Sequence, residues 1–276
     1  MKVTLSTGIE MFYVDRGQGE PLILIPGTGC DHQIWELQTA EWEKRYRVIA
    51  IDNRGSGQST IPSDPSAYSV EAMADDVASL IDKLGLPPCH LAGHSVGASI
   101  AQEVAVRHPE KVRSLQLHAT FGRADEWLKN AFVATMRYPL LHNDPRFCLK
   151  TCLMWAMSPT YLETRRPEKA NYMVTKCLVK NPHINAGAGL LGHLYADERY
   201  NGLDRLARIS VPVLVTAGEM DLMVPKRYSL EVYRRIPGAR FHEFRGEHAS
   251  HFALWEMAEE FLQVTLDFLS SLSQNS

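Results

Sequence analysis

The stretch Gly93-His94-Ser95-Val96-Gly97 decides how this chain is organised. A short apolar run at residues 89–92 precedes it, and residues 98–105 follow with apolar positions at helical spacing. The stretch therefore predicts an abrupt turn from a strand into a helix. Such a turn strains the backbone of its central residue, and flanking glycines let strand and helix pass closely without Cβ clashes. The hydroxyl of Ser95 is then presented outside the turn, at the N-terminal end of a helix dipole.

Strand-like and helix-like segments alternate along the chain on both sides of this turn. After a predicted hairpin at residues 3–15, the strand-like segments are 22–25, 47–52, 89–92, 112–117, 211–217 and 240–244. The helix-like segments are 35–46, 69–84, 98–108, 226–236 and 252–272. This alternation predicts an α/β fold with a mostly parallel central sheet and helices on both faces. In such sheets, functional groups gather at the carboxyl ends of the strands.

Residues 121–205 interrupt the alternation. Strand-like runs disappear there, and mostly helical stretches are broken by prolines. We interpret this segment as a helical cap inserted into a core formed by residues 1–120 and 206–276. Its Trp and Met side chains either line an apolar pocket or fill the core of the cap itself.

The composition of the chain indicates which classes of binding partner can be expected. The chain has 276 residues, 45% of them hydrophobic and 22% charged, with a formal net charge of −3. These values are ordinary for a globular protein and do not suggest a nucleic acid or an anionic membrane as partner. We expect no signal peptide, because the N-terminal residues lack an apolar core, and no membrane span. The five cysteines are then expected to be reduced thiols in a cytoplasmic protein.

The sequence gives no reason to expect a cofactor or a metal ion. The glycine-rich stretch at residues 53–59 lacks the lysine and the spacing of a phosphate-binding loop. Residues 187–192 match G-x-G-x-x-G, but no strand-like run precedes them, so we do not interpret them as a dinucleotide site. No set of Cys and His residues has the spacing of a metal site.

Three chemically complementary residues follow separate predicted strands. Ser95 follows the run at 89–92, Asp221 follows the strand at 211–217, and His248 follows the strand at 240–244. A free serine is a weak nucleophile, but a histidine can take its proton and return that proton to a leaving group. A carboxylate holds the imidazole in the required tautomer. The order Ser, Asp, His at one sheet edge therefore predicts a catalytic triad.

Two of these assignments have rivals. His251 competes with His248 for the role of base; we prefer His248 because it lies in the loop directly after the strand, whereas His251 is expected to begin a helix. Asp221 could instead cap the helix that follows, and the competing acids are Glu219, Glu243 and Glu247.

A developing oxyanion requires backbone donors. One should be the N–H of Val96, directly after the nucleophile. The second should come from the turn at residues 26–29, with Thr28 preferred and Gly29 as the alternative.

With these residues in view, the sequence resembles the α/β-hydrolase fold superfamily, and within it the 3-oxoadipate enol-lactonase and carboxylesterase-like group. The matching stretches are Pro26-Gly27-Thr28-Gly29, residues 52–59, Gly93-His94-Ser95-Val96-Gly97, Gly218-Glu219-Met220-Asp221 and Gly246-Glu247-His248. The resemblance implies hydrolysis of esters or lactones of small acids without a cofactor. A serine at position 95 argues against the dehalogenases and epoxide hydrolases of the superfamily, which carry an aspartate there.

The sequence thus predicts an enzyme that cleaves small or medium carboxylic esters or lactones through an acyl-enzyme on Ser95. Carbon–carbon bond hydrolysis on the same fold and a non-catalytic ligand receptor are the alternatives. The oligomeric state is left open, with a homodimer as one candidate.

Overall fold

The computed structural model describes residues 1–132, 136–141, 145–163, 181 and 187–273. The strands are β1 (Lys2–Thr4), β2 (Glu10–Arg16), β3 (Pro21–Ile25), β4 (Arg47–Ile51), β5 (Cys89–His94), β6 (Val112–His118), β7 (Val213–Gly218) and β8 (Arg240–Phe244). The helices of the core are α1 (Glu36–Trp42), α2 (Val70–Lys83), α3 (Val96–Arg107), α9 (Lys226–Arg235), α10 (Ala253–Glu256) and α11 (Ala258–Ser273). Between β6 and β7 lie α4 (Glu126–Phe132), α5 (Tyr138–Leu141), α6 (Pro145–Ala156), α7 (Pro159–Glu163) and α8 (Ala188–Arg199). Short 3-10 helices are His32–Trp35, Pro65–Ala67, Pro109–Lys111 and Leu203–Arg208.

The eight strands form one sheet in the order β1-β2-β4-β3-β5-β6-β7-β8. The first two strands pair antiparallel with each other, and β2 pairs antiparallel with β4. All the remaining neighbours are parallel. The predicted α/β fold with a mostly parallel sheet is therefore confirmed, and a helical cap lies between β6 and β7.

The central strands are buried on both faces. Every residue of β3, β5 and β7 is buried. The sequences of such strands are continuous apolar runs and do not alternate between apolar and polar residues, because helices cover both sides of a parallel sheet. The carboxyl ends of β5, β6, β7 and β8 therefore lie along one protected edge, where the loops that follow them meet.

Capping groups bound α2, which lies within the helix-like segment predicted at residues 69–84. The Ser69 hydroxyl accepts a hydrogen bond from the N–H of Ala72 at 3.0 Å, which satisfies one of the free donors of the first turn. The helix ends before Gly85, whose φ of 59° is easily adopted only by glycine. Its buried face packs on α3, so this capped helix supports the helix that begins at Ser95.

The structure refines one expectation and locates two other features of the sequence. The closing helix predicted at 252–272 is two helices, α10 and α11, because Met257 has non-helical dihedrals of −122° and 41°. The motif at 187–192 falls at the start of α8, and residues 182–186 before it lie outside the described ranges. Cys30, Cys89 and Cys152 form no disulfide bond with one another, whereas Cys177 and the side chain of Cys148 lie outside the described part of the chain.

A buried ion pair holds the corner after β4. Arg54 donates to the Asp76 carboxylate through Nε and Nη2, both at 2.6 Å, and the two side chains are 8% and 1% exposed. The neighbouring residue on α2, Asp75, pairs instead with Arg107 at the surface, with 35% and 40% exposure.

We predict that Asp76→Asn lowers the free energy of unfolding by about 3–5 kcal/mol, because it leaves Arg54 buried without a counter-charge. The matched control Asp75→Asn should lower it by less than about 1 kcal/mol, since exposed pairs contribute little. Urea denaturation of both variants measures the difference. Equal losses would contradict the prediction.

Candidate active site

Ser95 occupies the predicted turn between β5 and α3. Its backbone has φ 57° and ψ −124°, a conformation that side-chain-bearing residues rarely adopt. Its N–H donates to the carbonyl oxygen of His118 at 2.9 Å, which continues the pairing of β5 with β6 beyond the strand end. The residue is 8% exposed. Among the described residues, no side chain hydrogen-bonds its hydroxyl.

Glycines allow three backbone segments to converge at this turn. A Cβ at Gly97 would lie 2.2 Å from the carbonyl oxygen of Ile25, so only glycine lets α3 start against the end of β3. A Cβ at Gly27 would lie 3.1 Å from the Ser95 Cβ. The loop after β3 is therefore in close contact with the residue that carries the hydroxyl.

The loops after β7 and β8 are joined by backbone hydrogen bonds. Met220 N–H donates to the Ala249 carbonyl oxygen at 2.9 Å, and Glu219 N–H donates to the Phe244 carbonyl oxygen at 2.9 Å. A Cβ at Gly218 would lie 2.2 Å from the Ala249 oxygen, so the second loop crosses directly over the end of β7. This crossing brings the segment after residue 249 beside the acid that follows β7.

That crossing places His251, and not His248, against Asp221. His251 Nδ1 lies 2.8 Å from Asp221 Oδ2, and the exposed fractions of the two side chains are 5% and 0%. The other carboxylate oxygen accepts from the N–H of Val224 at 2.8 Å. Asp221 therefore caps the following turn and also binds the imidazole, which the sequence had presented as alternatives.

The sequence preferred His248 as the partner of Asp221, whereas the structure brings His251 to that carboxylate. The His248 side chain is 40% exposed and contacts Glu247 and Glu256, with Nδ1 3.4 Å from Glu256 Oε2. No ion pair joins it to Asp221 within the described ranges. The physical reason is the tight turn at Gly246, which has a φ of 94° and accepts a hydrogen bond from Ala249 N–H. That turn directs His248 outward and carries the chain back over the sheet edge before His251.

His94 fixes the backbone of His251 from the nucleophile turn. Its Nε2 lies 2.9 Å from the His251 carbonyl oxygen, and the two rings have centroids 4.7 Å apart. Burial, and then the neighbouring His251, keep the pKa of His94 well below 6.5, so the ring is neutral and donates through Nε2. The residue before Ser95 thereby ties the histidine loop to the nucleophile turn.

Glu256 is a buried anchor that the sequence did not single out. Its carboxylate accepts hydrogen bonds from the Ser250 hydroxyl at 2.6 Å and from Ser158 N–H at 3.0 Å. The Ser158 hydroxyl also donates to it. One carboxylate therefore holds the histidine loop and the end of α6 together.

Backbone donors of the predicted oxyanion site can be compared directly. Gly29 N–H donates to His193 Nδ1 at 3.1 Å, so this amide is already engaged. The N–H groups of Thr28 and Val96 have no acceptor in the part of the chain that the structure describes. The first N–H groups of a helix have no intrahelical partner, which accounts for Val96. Of the two alternatives for the second donor, the geometry favours Thr28.

Three polar side chains near the sheet edge have the types that bind metals. One ligand atom each of Asp31, His32 and Asp52 lies within 4.8 Å of the others. His32 Nδ1 and N–H both bind Asp52 Oδ1, at 2.7 and 2.9 Å. Burial lowers the pKa of His32, but the hydrogen bond to Asp52 and its charge outweigh burial and raise that pKa. His32 and Asp52 therefore bind each other, whereas the Asp31 carboxylate accepts from Gln33 N–H at 2.9 Å and from Asn181 Nδ2 at 2.6 Å.

A buried acid of the cap lies beside Thr28. Asp197 Oδ2 accepts a hydrogen bond from the Thr28 hydroxyl at 2.6 Å, and Oδ1 has no partner among the described residues. Burial raises the pKa of Asp197 from 3.8 to about 7, although the Thr28 hydrogen bond acts to lower it. Sequence reasoning missed Asp197 because it lies 169 residues from Thr28.

The raised pKa of Asp197 predicts a pH-dependent stability. Its folded pKa exceeds its unfolded value, so the folded state binds the proton more tightly and stability is lost as pH rises from about 4 to 7. Between pH 5 and pH 8, the wild type should lose about 2–3 kcal/mol relative to Asp197→Asn, at about 1.4 kcal/mol per pKa unit. Urea unfolding at both pH values measures this loss. Parallel pH dependence in the two proteins would contradict it.

Comparison with known proteins agrees with this architecture. Residues 20–258 match the family described as alpha/beta hydrolase fold. The chain is 30% identical over 244 residues to a putative carbamate hydrolase RutD of Azorhizobium caulinodans, covering 87% of this chain and 88% of the relative. It is 27% identical over 270 residues to a pimeloyl-[acyl-carrier protein] methyl ester esterase of Aeromonas hydrophila, covering 96% and 100%.

A solved structure shows the same fold. The enol-lactonase from Burkholderia xenovorans superposes with a TM-score of 0.85 at 24% identity, covering 98% of this chain and 100% of that chain. Among the described residues, none of the helices combines the length and the apolar character needed to cross a membrane. The family match covers most of the sequence and includes the strand ends that carry Ser95, Asp221 and His251. The chain belongs to the alpha/beta hydrolase fold family.

Proposed function

We propose that the chain is a serine hydrolase of small or medium carboxylic esters or lactones. Ser95 is the nucleophile, His251 is the general base and acid, and Asp221 orients His251. The N–H groups of Val96 and Thr28 stabilise the oxyanion. His251 thereby replaces His248 in the triad predicted from the sequence.

One observation carries this proposal: the buried contact of 2.8 Å between His251 Nδ1 and Asp221 Oδ2. A carboxylate accepts but cannot donate, so Nδ1 carries the proton and Nε2 is the basic nitrogen. No described residue hydrogen-bonds Nε2. The backbone of His251 is held by His94, the residue directly before Ser95. This anchoring supports transfer of the Ser95 proton to Nε2, with the direct contact forming when substrate binds.

The chemistry then follows in two balanced halves. Ser95 Oγ attacks the carbonyl carbon while its proton passes to His251 Nε2, and the resulting oxyanion accepts hydrogen bonds from Val96 and Thr28 N–H. His251 gives the proton to the leaving oxygen as the carbon–oxygen bond breaks, which leaves an acyl group on Ser95. Water attacks this ester with His251 as base, and the acid is released as Ser95 regains its proton.

The relatives support this substrate class. The methyl ester esterase and the putative carbamate hydrolase are named for substrates with a carbonyl carbon bound to a heteroatom. Attack by Ser95 suits such a carbon. The cap between β6 and β7, which we assign to residues 121–205, is proposed to cover the site and to select among acyl groups.

The proposal is tested by a fluorophosphonate probe and a substrate panel. The panel contains p-nitrophenyl acetate and butyrate, a γ-lactone and a dienoate with a cleavable carbon–carbon bond. We expect labelling and ester or lactone turnover in the wild type, and loss of both in Ser95→Ala. A well-folded wild type that neither labels nor turns over any substrate would support the receptor alternative. Turnover of the dienoate alone would support carbon–carbon bond hydrolysis.

Alanine variants of His251 and His248 test most directly which histidine is the catalytic base. We predict that His251→Ala lowers kcat/KM for p-nitrophenyl butyrate by about 10³-fold or more, because the base that activates Ser95 is lost. His248→Ala should stay within about threefold of the wild type, since an exposed side chain outside the reacting atoms contributes little to the barrier.

Circular dichroism and thermal unfolding of both variants serve as the folding control. A large loss in folded His248→Ala together with a small loss in His251→Ala would restore the assignment made from the sequence.

A further inference from the structure

Two side chains of the cap helix α8 reach the loop that follows β3. His193 and Asp197 are four residues apart and therefore lie on one face of the helix. Asp197 accepts from the Thr28 hydroxyl at 2.6 Å, and His193 Nδ1 accepts from Gly29 N–H at 3.1 Å. Both side chains are buried, at 1% and 0% exposure.

The hydrogen bonds of His193 define its tautomer. Nδ1 accepts from a backbone N–H, so the ring proton is on Nε2, which donates to the Arg54 carbonyl oxygen at 2.6 Å. Burial lowers the pKa of His193, in keeping with a neutral ring. Because Arg54 is itself fixed by Asp76, the neutral ring connects the loop at Gly29 to a rigid corner of the core.

These contacts determine which backbone N–H of the loop at residues 26–29 can donate to an oxyanion. His193 engages Gly29 N–H, and the Gly27 carbonyl engages Cys30 N–H at 3.1 Å. Thr28 N–H has no acceptor among the described residues, while its hydroxyl is held by Asp197. The side chain and the amide of Thr28 share one Cα, so a fixed hydroxyl restricts the direction of the N–H.

We propose that Asp197 and His193 are positioning residues that aim the N–H of Thr28 at the oxyanion, so that the cap helix completes the oxyanion site. This inference rests on the proposed function. It deepens that function by assigning part of transition-state stabilisation to the cap. Neither residue touches the substrate; both act through the loop at residues 26–29.

A second observation supports a role beyond stability for Asp197. Its Oδ1 is buried and has no partner within the described residues. A buried polar atom without a partner lowers stability, and burial raises the pKa of Asp197 to about 7. The cost in stability of burying Asp197, together with the hydrogen bond of its other oxygen to Thr28, is consistent with a role in positioning the loop at residues 26–29.

The test is a double-mutant cycle on this hydrogen bond. Asp197→Ala removes the acceptor, Thr28→Val removes the donor while keeping the backbone N–H, and the third variant carries both changes. Thr28 is only partly buried, so its replacement by an isosteric side chain should not prevent folding. Thr28→Ser keeps the hydroxyl and is the matched control.

We expect each single variant to lower kcat for p-nitrophenyl butyrate by about 10- to 100-fold with KM changed by less than about threefold, because the oxyanion forms only in the transition state. The double variant should be no worse than the singles. The inhibition constant of phenylboronic acid, which forms a tetrahedral adduct on the nucleophile, should rise in parallel with the fall in kcat. Thr28→Ser should restore both values to within about threefold of the wild type.

The inference is overturned if folded Thr28→Val keeps wild-type kcat, if the single losses multiply in the double variant, or if the loss lies in KM alone. Failure of the proposed function gives a different result. In that case the wild type itself shows no turnover that depends on Ser95.

Discussion

The strained turn at Ser95 is the constraint on which the rest of the site depends. A φ of 57° for a residue with a side chain persists only when its surroundings fix it. Here the N–H of Ser95 is held by His118, and Gly97 allows α3 to start against the carbonyl of Ile25. The strained turn therefore separates the hydroxyl from the path of the chain, and the N–H of Val96 beside it has no acceptor among the residues that the structure describes. Both consequences are what acyl transfer requires.

The proposed catalytic partners of Ser95 come from strand ends that are distant in sequence. The parallel sheet aligns the ends of β5, β7 and β8, and backbone hydrogen bonds then join the loops after β7 and β8. Asp221 and His251 meet because Ala249 crosses over Gly218, and Glu256 anchors the same loop to the cap. The cap also reaches the site from the other side, through α8 and the loop at Thr28. The core thus supplies the groups that we propose to react, and the cap contacts two of the loops that carry them.

The sequence predicted the fold and the positions of Ser95 and Asp221, because strand periodicity and loop glycines are local signals. It did not indicate that His251, rather than His248, contacts Asp221. The two histidines are only three positions apart, and the turn at Gly246 determines which imidazole faces Asp221. His193 and Asp197 were missed for a different reason. They act across more than 160 residues of sequence, and nothing near them marks helix α8 as a neighbour of Thr28.

The most direct measurement is a crystal structure of the protein after reaction with a fluorophosphonate. We expect phosphorus bonded to Ser95 Oγ and the phosphoryl oxygen at about 2.7–3.1 Å from the backbone nitrogens of Val96 and Thr28. We also expect His251 Nε2 to face the Ser95 oxygen while Nδ1 stays on Asp221. An adduct on another residue, or one on Ser95 whose nearest imidazole is that of His248, would rule out the proposed catalytic site.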